Sequence, residues 1–481
     1  MLFNSFSFAL FFPIVFIFYW FVFKKSLKYQ NFFLVICSYF FYGYWDWRFV
    51  FLLAFSTALD FFSGIQIAKV STKAQKKFWL ILSVSVNLGF LGFFKYYNFF
   101  IESFAELLTS IGFTPHYSTL RIILPVGISF YTFHGLSYVF DIYNEKIKPS
   151  YNWVNYTLFV CFFPLLVAGP IERATHLLPQ VEKERTFSYS KAVDGLRQIL
   201  WGLFKKIVVA DNCANFVNPV FANSEQYPGP TLALGVILFA IQIYGDFSGY
   251  SDIALGTARI LGIELLQNFR FPYFSRDIAE FWRRWHISLT TWFRDYLYIP
   301  LGGSRVSKMK VVRNTFIIFV VSGFWHGANW TFIAWGMFHA ILFLPLILMN
   351  KNRKYTNTVA EGKLLPDIKE IFQMGLTFFL VVIGWVFFRA DTIGLAFEYL
   401  RGMANISSTF LLPIDNIQLL KILFVISCML IVEWFDRKNH FGLEKLGITW
   451  TPVFRYALYY FILLLIFFSM GKEQVFIYFQ F

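Results

Sequence analysis

Two histidines, His286 and His326, are the side chains best suited to chemistry in this sequence. His326 stands between Trp325 and Gly327 in residues 314–350, a run that contains no charged residue. A run this long and apolar predicts burial in a bilayer, where ionisable groups are costly and usually face a cavity or a partner. Burial keeps an imidazole uncharged and able to accept a proton. The pattern therefore predicts proton-transfer chemistry inside a membrane, centred on His326.

His326 also has a plainer interpretation, in which its ring only hydrogen-bonds a neighbouring helix. The nearby Gly323 and Gly327 argue against this, because glycines let backbone or ligand approach the ring and can interrupt a helix. Asn314 and His326 are separated by about twelve helical positions, or about 18 Å along the helix axis. The hydrocarbon core of a bilayer is about 30 Å thick, so this distance exceeds half of it. The ring is therefore expected near or beyond the midplane, where a cytoplasmic substrate would need a tunnel. His339, on a more regular apolar helix, is the better structural histidine.

His286 lies in residues 280–305, a segment rich in arginine and tryptophan. Trp282, His286, Leu289 and Phe293 have the spacing of one helical face. One interpretation is an amphipathic helix in the membrane interface, with its tryptophans at headgroup level and its arginines on lipid phosphates. His286 fits this interpretation less well than the arginines do, because its neighbours are apolar and aromatic.

The composition indicates a polytopic membrane protein. Of 481 residues, 57% are hydrophobic and only 15% are charged, which is unlike a soluble domain. The formal charge of +14 comes from lysines and arginines in short loops between apolar runs, so it sets topology and does not indicate nucleic-acid binding. The four cysteines are scattered and do not have the spacing of metal ligands. The sequence also contains no phosphate-binding loop and no nucleophile elbow. We therefore predict no metal.

Apolar length and loop charge predict eleven or twelve helical spans, starting with a retained first span at residues 5–23. Residues 154–170 are short and broken by proline and glycine, so we expect a re-entrant or interfacial segment there. A span is expected to end at Tyr244, and residues 245–313 are then cytoplasmic or interfacial. The polar, glycine-rich residues 245–252 would form a helix cap or turn at that end.

We predict one integral membrane domain over residues 1–481, of the all-α polytopic class. Its N-terminal spans cover residues 5–140, its catalytic core about residues 150–350, and its C-terminal spans residues 371–470. The last of these are expected near residues 371–388, 419–432 and 456–470.

Several motifs together resemble the membrane-bound O-acyltransferase family, and within it the bacterial alginate O-acetyltransferase branch. The principal ones are Arg284-Trp285-His286-Ile287-Ser288, residues 292–296, Pro300-Leu301-Gly302-Gly303-Ser304-Arg305 and Trp325-His326-Gly327. Supporting matches fall at residues 124–133, 167–171, 202–206 and 246–252. The matches run to about Ala340, and the remainder is similar mainly in hydropathy. One departure is His134, where relatives commonly carry glutamine.

The resemblance implies helices around a central funnel or tunnel, with His326 as the catalytic histidine and His286 as the second one. Acyl transfer from a thioester to a hydroxyl needs a base for the hydroxyl proton, and a neutral desolvated imidazole suits that role. His326 is the expected base, or alternatively a transient acyl carrier. His286 would orient the thioester or stabilise charge on its carbonyl. Further candidates for binding or positioning substrate are Trp325, Arg294, Asp295, Asn329 and Asp246.

The resemblance also implies a substrate class, a location and partners. The expected activity is O-acetylation of a cell-envelope polysaccharide, either an alginate-like exopolysaccharide or peptidoglycan, from a bacterial inner membrane. The donor would be acetyl-coenzyme A or an acyl-carrier thioester from the cytoplasm, with no tightly bound cofactor and with a periplasmic acetyltransferase partner. Two alternatives remain open: D-alanyl transfer to teichoic acid, and a proton-coupled transporter or channel that uses the buried histidines. The lack of an evident inverted repeat counts against the transporter.

Overall fold

The computed structural model describes residues 1–117, 119–120, 122–167, 169–405, 410–471, 474 and 476–477. Within these ranges the chain is helical and contains no strand, which confirms the all-α class. Seven of the helices found there are long and apolar enough to cross a membrane, so the chain is a multi-pass membrane protein that lies in a lipid bilayer. Most of the other expected spans fall on shorter or interrupted helices, and the first half of the charge-free run falls on Lys308–His326, which has 19 residues but is not among these seven. The count of eleven or twelve stays a prediction.

The chain divides into two compact units. The first comprises Met1–Ala192 and Ala258–Leu266, and the second Val193–Thr257 and Gln267–Phe481. Both histidines singled out above belong to the second unit. The single-domain organisation stays a prediction.

In the part of the chain that is described, nine α-helices lie entirely in the first unit. They are α1 (Phe6–Ile17), α2 (Leu27–Gly43), α3 (Arg48–Lys69), α4 (Lys73–Leu91), α5 (Tyr97–Ser110), α6 (Ile128–Tyr143), α7 (Trp153–Cys161), α8 (Phe163–Leu166) and α9 (Ala174–Val181). A buried carboxylate joins α3 to α4, because Asp60 Oδ1 accepts hydrogen bonds from Ser83 Oγ at 2.6 Å and Asn87 Nδ2 at 2.8 Å. His134 is buried in α6.

The proline-broken stretch at residues 154–170 forms α7 and α8, with the break at Phe162. Both helices are short and largely buried, as expected where irregular backbone at membrane depth must be covered by protein. Ala168, part of a supporting motif, lies outside the described residues. The break is confirmed, and the re-entrant path stays a prediction.

Two helices, α10 (Tyr189–Leu203) and α12 (Gly229–Ile260), have residues in both units. A π-helical segment, Phe204–Ala210, joins α10 to α11. The other helices of the second unit are α11 (Asp211–Ala222), α13 (Ile278–Arg284), α14 (Ile287–Phe293), α15 (Lys308–His326), α16 (Trp330–Leu348), α17 (Ile368–Arg389), α18 (Ile393–Ala404), α19 (Asn416–Phe435) and α20 (Pro452–Ser469). The last three expected spans correspond to α17, α19 and α20.

The prediction that a span ends at Tyr244 is wrong. α12 continues to Ile260 and is long and apolar enough to cross a membrane, so residues 245–252 are helix interior and not a cap or turn. The polar residues are tolerated because they are buried against protein: Lys205 Nζ lies 2.7 Å from Asp252 Oδ2. A Cβ atom on Gly249 would lie 2.7 Å from the carbonyl oxygen of Gly202, so the glycines permit close contact between α12 and α10.

Candidate active site

The charge-free run folds into a helical hairpin that places His326 at a helix end. α15 ends at His326 and α16 begins at Trp330. The two helices touch through glycines, because a Cβ atom on Gly323 would collide with the carbonyl of Phe332. His326 is buried, and its position on the terminal turn leaves it beside the loop and not in the middle of a regular helix. The expectation that glycine interrupts the helix here is confirmed.

Asn329 holds the loop that follows His326. Its side-chain oxygen accepts the backbone N–H of Thr331 at 2.9 Å and caps α16, while its Nδ2 donates to the carbonyl of Asp391 at 2.8 Å. The residue therefore ties the start of α16 to the chain just beyond α17. A role for Asn329 in positioning substrate stays a prediction, and the structure gives it a clear role in positioning the loop.

His286 occupies a sharp turn between two short helices. α13 ends at Arg284, α14 begins at Ile287, and His286 has the left-handed backbone angles φ 42° and ψ 53°. The prediction of one continuous helical face through residues 282–293 is therefore wrong. Tertiary contact overrides the helical spacing here, because the backbone N–H of Ile287 donates to the carbonyl of Asn268 at 2.8 Å.

The turn brings the two predicted histidines together. Their ring centroids lie 6.3 Å apart, and both side chains are buried. Trp325 bridges them, with its ring 4.9 Å from that of His326 and 5.9 Å from that of His286. Three other rings complete the enclosure. The Phe247 ring lies 4.7 Å from that of His286. The rings of Trp335 and Phe388 lie 5.2 and 5.4 Å from that of His326.

This aromatic enclosure controls the charge of the second histidine. Burial lowers the pKa of His286 to about 3, because a low-dielectric environment disfavours the imidazolium. His286 is therefore neutral at physiological pH, with one ring N–H to donate and one nitrogen to accept. A neutral His286 beside His326 can donate a hydrogen bond to a developing oxyanion. It is less suited to a proton relay, which would require the His286 ring to become charged.

The arginines around His286 have protein partners. Arg284 Nη2 lies 2.9 Å from Glu280 Oε1, and Arg276 Nη2 lies 3.0 Å from the same oxygen. Arg283 donates to the carbonyls of Asn352 and Tyr355. These contacts anchor α13 within the second unit, so the structure favours protein contacts over lipid phosphates for this group.

Arg294 is exposed at the protein surface and pairs with the neighbouring Asp295. They form an ion pair with each other at 2.7 Å, and the Arg294 side chain is 57% exposed. Because it is so exposed, the arginine lies outside the buried cluster of His286 and His326. A role for the pair in binding substrate stays a prediction.

Asp246 belongs to a buried ion network on α12. Lys206 Nζ lies 2.7 Å from Asp246 Oδ1 and 2.7 Å from Asp211 Oδ1, and the second oxygen of Asp246 accepts the backbone N–H of Ile477 at 2.7 Å. Its neighbour in sequence, Phe247, packs on His286. Asp246 thus supports the wall of the site from behind, and a direct role with substrate stays a prediction.

Lys206→Met is expected to destabilise the protein strongly. Removing one partner of a buried charge pair costs about 3–5 kcal/mol. Here the change removes the ammonium group that pairs with both Asp246 and Asp211. Lys76→Met is a matched control, because Lys76 pairs with Glu145, whose side chain is 78% exposed, and such pairs contribute about 0–1 kcal/mol. Thermal melting in detergent compares the two variants. Equal melting temperatures would contradict the structural role of the Lys206 network.

Asn268 is a positioning residue that sequence reasoning missed. Besides its backbone bond to Ile287, its Oδ1 accepts the Ser288 hydroxyl at 2.5 Å and its Nδ2 donates to Ser251 Oγ at 2.9 Å. Asn268 is fully buried. It therefore fixes both residues that follow His286 and fastens them to α12. Its sequence surroundings carry no motif, so only the folded structure makes its importance visible.

Asn268→Ala is expected to lower kcat about 100-fold, the effect of a misplacement of about 1 Å in a catalytic group. Ser251→Ala removes one of the two side-chain bonds and should give an intermediate loss. Gln267→Ala is the control, because Gln267 donates to the carbonyl of His440 instead. Rates are measured per folded molecule together with the donor KM. A loss explained entirely by less folded protein would contradict a positioning role.

The fold defines a multi-pass membrane protein whose second unit encloses a pair of histidines. Comparison with known families then gives the class of reaction, because the model of the membrane-bound O-acyltransferase family matches residues 144–387, about half of the chain. The chain belongs to the membrane-bound O-acyltransferase family, as its motifs indicated, and it is a membrane acyltransferase.

Individual relatives extend over more of the chain. The probable alginate O-acetylase AlgI of Pseudomonas aeruginosa is 38% identical over 419 residues, 86% of this chain and 78% of that protein. The peptidoglycan O-acetyltransferase of Helicobacter pylori is 35% identical over 441 residues, 85% of this chain and 81% of that protein. The teichoic acid D-alanyltransferase of Bacillus subtilis is 28% identical over 291 residues, 57% of this chain and 71% of that protein.

Proposed function

We propose that this acyltransferase moves an acetyl group from a cytoplasmic thioester across the membrane for O-acetylation of a cell-envelope polysaccharide. The observation that carries the proposal is the enclosed pair of His326 and His286, with ring centroids 6.3 Å apart. Relatives named for alginate and for peptidoglycan acetylation support both polymers as acceptor classes. The proposed membrane is the bacterial inner membrane.

In the proposed reaction His326 is the general base. Its neutral imidazole takes the proton of the acceptor hydroxyl as the oxygen attacks the thioester carbonyl. The tetrahedral intermediate collapses with cleavage of the carbon–sulfur bond, and the imidazolium returns the proton to the departing thiolate. The products are an acetyl ester and a free thiol. The N–H of His286 donates to the oxyanion of the intermediate, and the buried setting strengthens that hydrogen bond.

The remaining parts of the proposal concern donor and partner. The donor is acetyl-coenzyme A or an acyl-carrier thioester, used as a substrate and not as a resident cofactor. It arrives at the side of the lysine-rich loops, which the positive-inside rule assigns to the cytoplasm. A periplasmic acetyltransferase partner completes delivery to the polymer.

The comparisons with known proteins support the two alternative functions to different degrees. Membership of an acyltransferase family removes the support for a proton-coupled transporter. The D-alanyl alternative is supported by a relative with lower identity and less coverage of this chain than the two acetyl-transferring relatives. Acetyl transfer is therefore the proposed activity.

Deletion of the gene in its own bacterium tests the proposal. We expect ester-linked acetate, released by mild base, to fall to background in exopolysaccharide or in peptidoglycan. The wild-type gene should restore it and the His326→Ala gene should not. Unchanged ester acetate in both polymers would contradict the proposal, and loss of ester-linked D-alanine would favour the alternative.

A further inference from the structure

One face of α5, in the first unit, is an exposed apolar stripe. Phe104, Leu107 and the C-cap residue Ile111 follow the spacing i, i+3 and i+7, which places them on one side of the helix. These residues are 59%, 57% and 62% exposed, and Phe113 in the loop that follows is 64% exposed. Such a stripe normally packs against a hydrophobic surface, so the surface that it contacts needs an explanation.

The opposite face of α5 is polar and carries only negative charge. Glu102, Glu106 and Thr109 share this face by the spacing i, i+4 and i+7, and all three are exposed. Residues 96–120 contain neither lysine nor arginine. α5 is therefore an amphipathic helix, with one side suited to an apolar environment and the other suited to water.

α5 follows directly from a helix that is long and apolar enough to cross the membrane. The stretch Lys73–Ser110 is helical over 38 residues and contains both α4 and α5. At the helical rise that is about 57 Å, nearly twice a hydrocarbon core of about 30 Å. Residues 78–94 carry no charge and suffice to cross the core, while Lys73, Lys76 and Lys77 mark the cytoplasmic end. α5 therefore begins where the chain reaches the opposite side of the membrane.

The helical backbone is distorted between α4 and α5. A π-helical segment, Gly92–Tyr96, separates the two helices. Tyr96 has φ −117° and ψ −7°, far from the usual helical values of about −63° and −42°. Helices commonly kink at such π-helical segments. This distortion allows α5 to turn from the direction of the bilayer normal into the plane of the membrane surface.

Asn98 joins the start of α5 to the chain that returns from it. Its Nδ2 donates to the carbonyl of Leu120 at 2.9 Å, and its Oδ1 accepts the backbone N–H of Leu120 at 3.1 Å. The chain that leaves through α5 therefore comes back to the first turn of the same helix before α6 begins at Ile128. α5 and the loop after it form a short excursion that is closed at the outer end of α4.

We propose that α5 lies along the interface of the outer leaflet, the leaflet opposite the lysine-rich loops, and binds phospholipid there. Phe104, Leu107 and Ile111 lie among the upper parts of the acyl chains, and Glu102 and Glu106 face water. Contact with acyl chains removes the apolar stripe from water, which is favourable. The polar face keeps its carboxylates hydrated, so the arrangement buries no charge.

Continuity with a neighbouring lipid-facing surface favours phospholipid over a protein partner. On α4, Phe78, Ile81 and Leu88 are 59%, 50% and 45% exposed, so the stripe of α5 extends an apolar surface that already lies in the bilayer. Interfacial helices that use charge carry lysines and arginines for anionic headgroups, and α5 has none. Its binding therefore depends on apolar burial alone and is independent of salt and of anionic lipid.

Spin labels on the full-length protein in nanodiscs test the proposal by electron paramagnetic resonance. Phe104→Cys and Leu107→Cys place a label on the stripe, Glu102→Cys and Glu106→Cys are matched controls on the polar face, and Cys428→Ser removes the natural cysteine that is not buried. The measured quantity is the collision rate with oxygen, which concentrates among acyl chains, divided by that with a water-soluble nickel chelate. We expect this ratio to be about 3-fold or more higher at the stripe labels than at the controls. Neutral and anionic lipid, at low and high salt, should give the same result.

Three outcomes would overturn the proposal. Equal ratios at all four labels would show that α5 stands in water. Exclusion of both reagents from the stripe labels would show that protein covers the stripe. A ratio at the stripe that falls with salt, or that requires anionic lipid, would show that charge and not apolar burial holds the helix. All four substitutions fall at exposed positions, and either stripe label with one control suffices if another variant does not fold. The measurement requires no acetyl transfer, so it is independent of the proposed function.

Discussion

Replacement of His326 by alanine is expected to lower acetyl transfer by about 10²–10⁴-fold, the range typical of a lost general base. Glutamine at the same position retains much of the size and hydrogen bonding of the ring but cannot take up the proton. His326→Gln should therefore fail as severely as His326→Ala. Transfer is measured as thiol released from an acetyl thioester and as ester acetate on polymer.

The control for His326 is His116→Ala, because His116 is exposed and belongs to the first unit. Its activity should equal that of wild type. Melting temperatures of both His326 variants should remain near wild type, which separates lost chemistry from lost fold. Wild-type transfer by a well-folded His326→Gln would contradict the role of base.

Substitutions at His286 are expected to separate the ring from the backbone turn. His286 has φ 42°, a region that costs most residues about 1–2 kcal/mol and that asparagine tolerates best after glycine. His286→Asn should therefore remain folded and His286→Val should be destabilised. Both should lose transfer by about 10²–10³-fold, the cost of removing one oxyanion donor.

Melting temperature and thiol release distinguish these two effects. The account requires His286→Asn to melt near wild type while its rate falls, and His286→Val to lose both. Full activity in His286→Asn would show that the turn matters and the imidazole does not. Equal stability of the two variants would show that the left-handed turn is not a constraint.

Much of the site could be predicted from local sequence. The charge-free run indicated a bilayer-buried segment, and its glycines indicated an interruption beside His326, where α15 ends before α16 begins. The long apolar stretches gave α17, α19 and α20. These features are local, since each depends on the hydropathy or glycine content of a single stretch.

The turn at His286 could not be predicted in this way. The residues around His286 have helical spacing. The turn is fixed instead by hydrogen bonds that Ile287 and Ser288 donate to Asn268, which is not a local neighbour in the sequence. The continuation of α12 through Asp246 and Asp252 was missed for a similar reason. A hydropathy criterion ends the span where these carboxylates begin. In the folded protein Lys205 pairs with Asp252 and Lys206 pairs with Asp246, so the helix continues through both.

The central claim is that acetyl enters at the lysine-rich face and passes His326 to an acceptor on the other side. Membrane vesicles from expressing cells test it, with a membrane-impermeant labelled acetyl thioester added outside. Inverted vesicles should label polysaccharide, whereas right-side-out vesicles and inverted vesicles carrying His326→Ala should not. Equal labelling of right-side-out vesicles, or labelling by His326→Ala at the wild-type rate, would contradict the account.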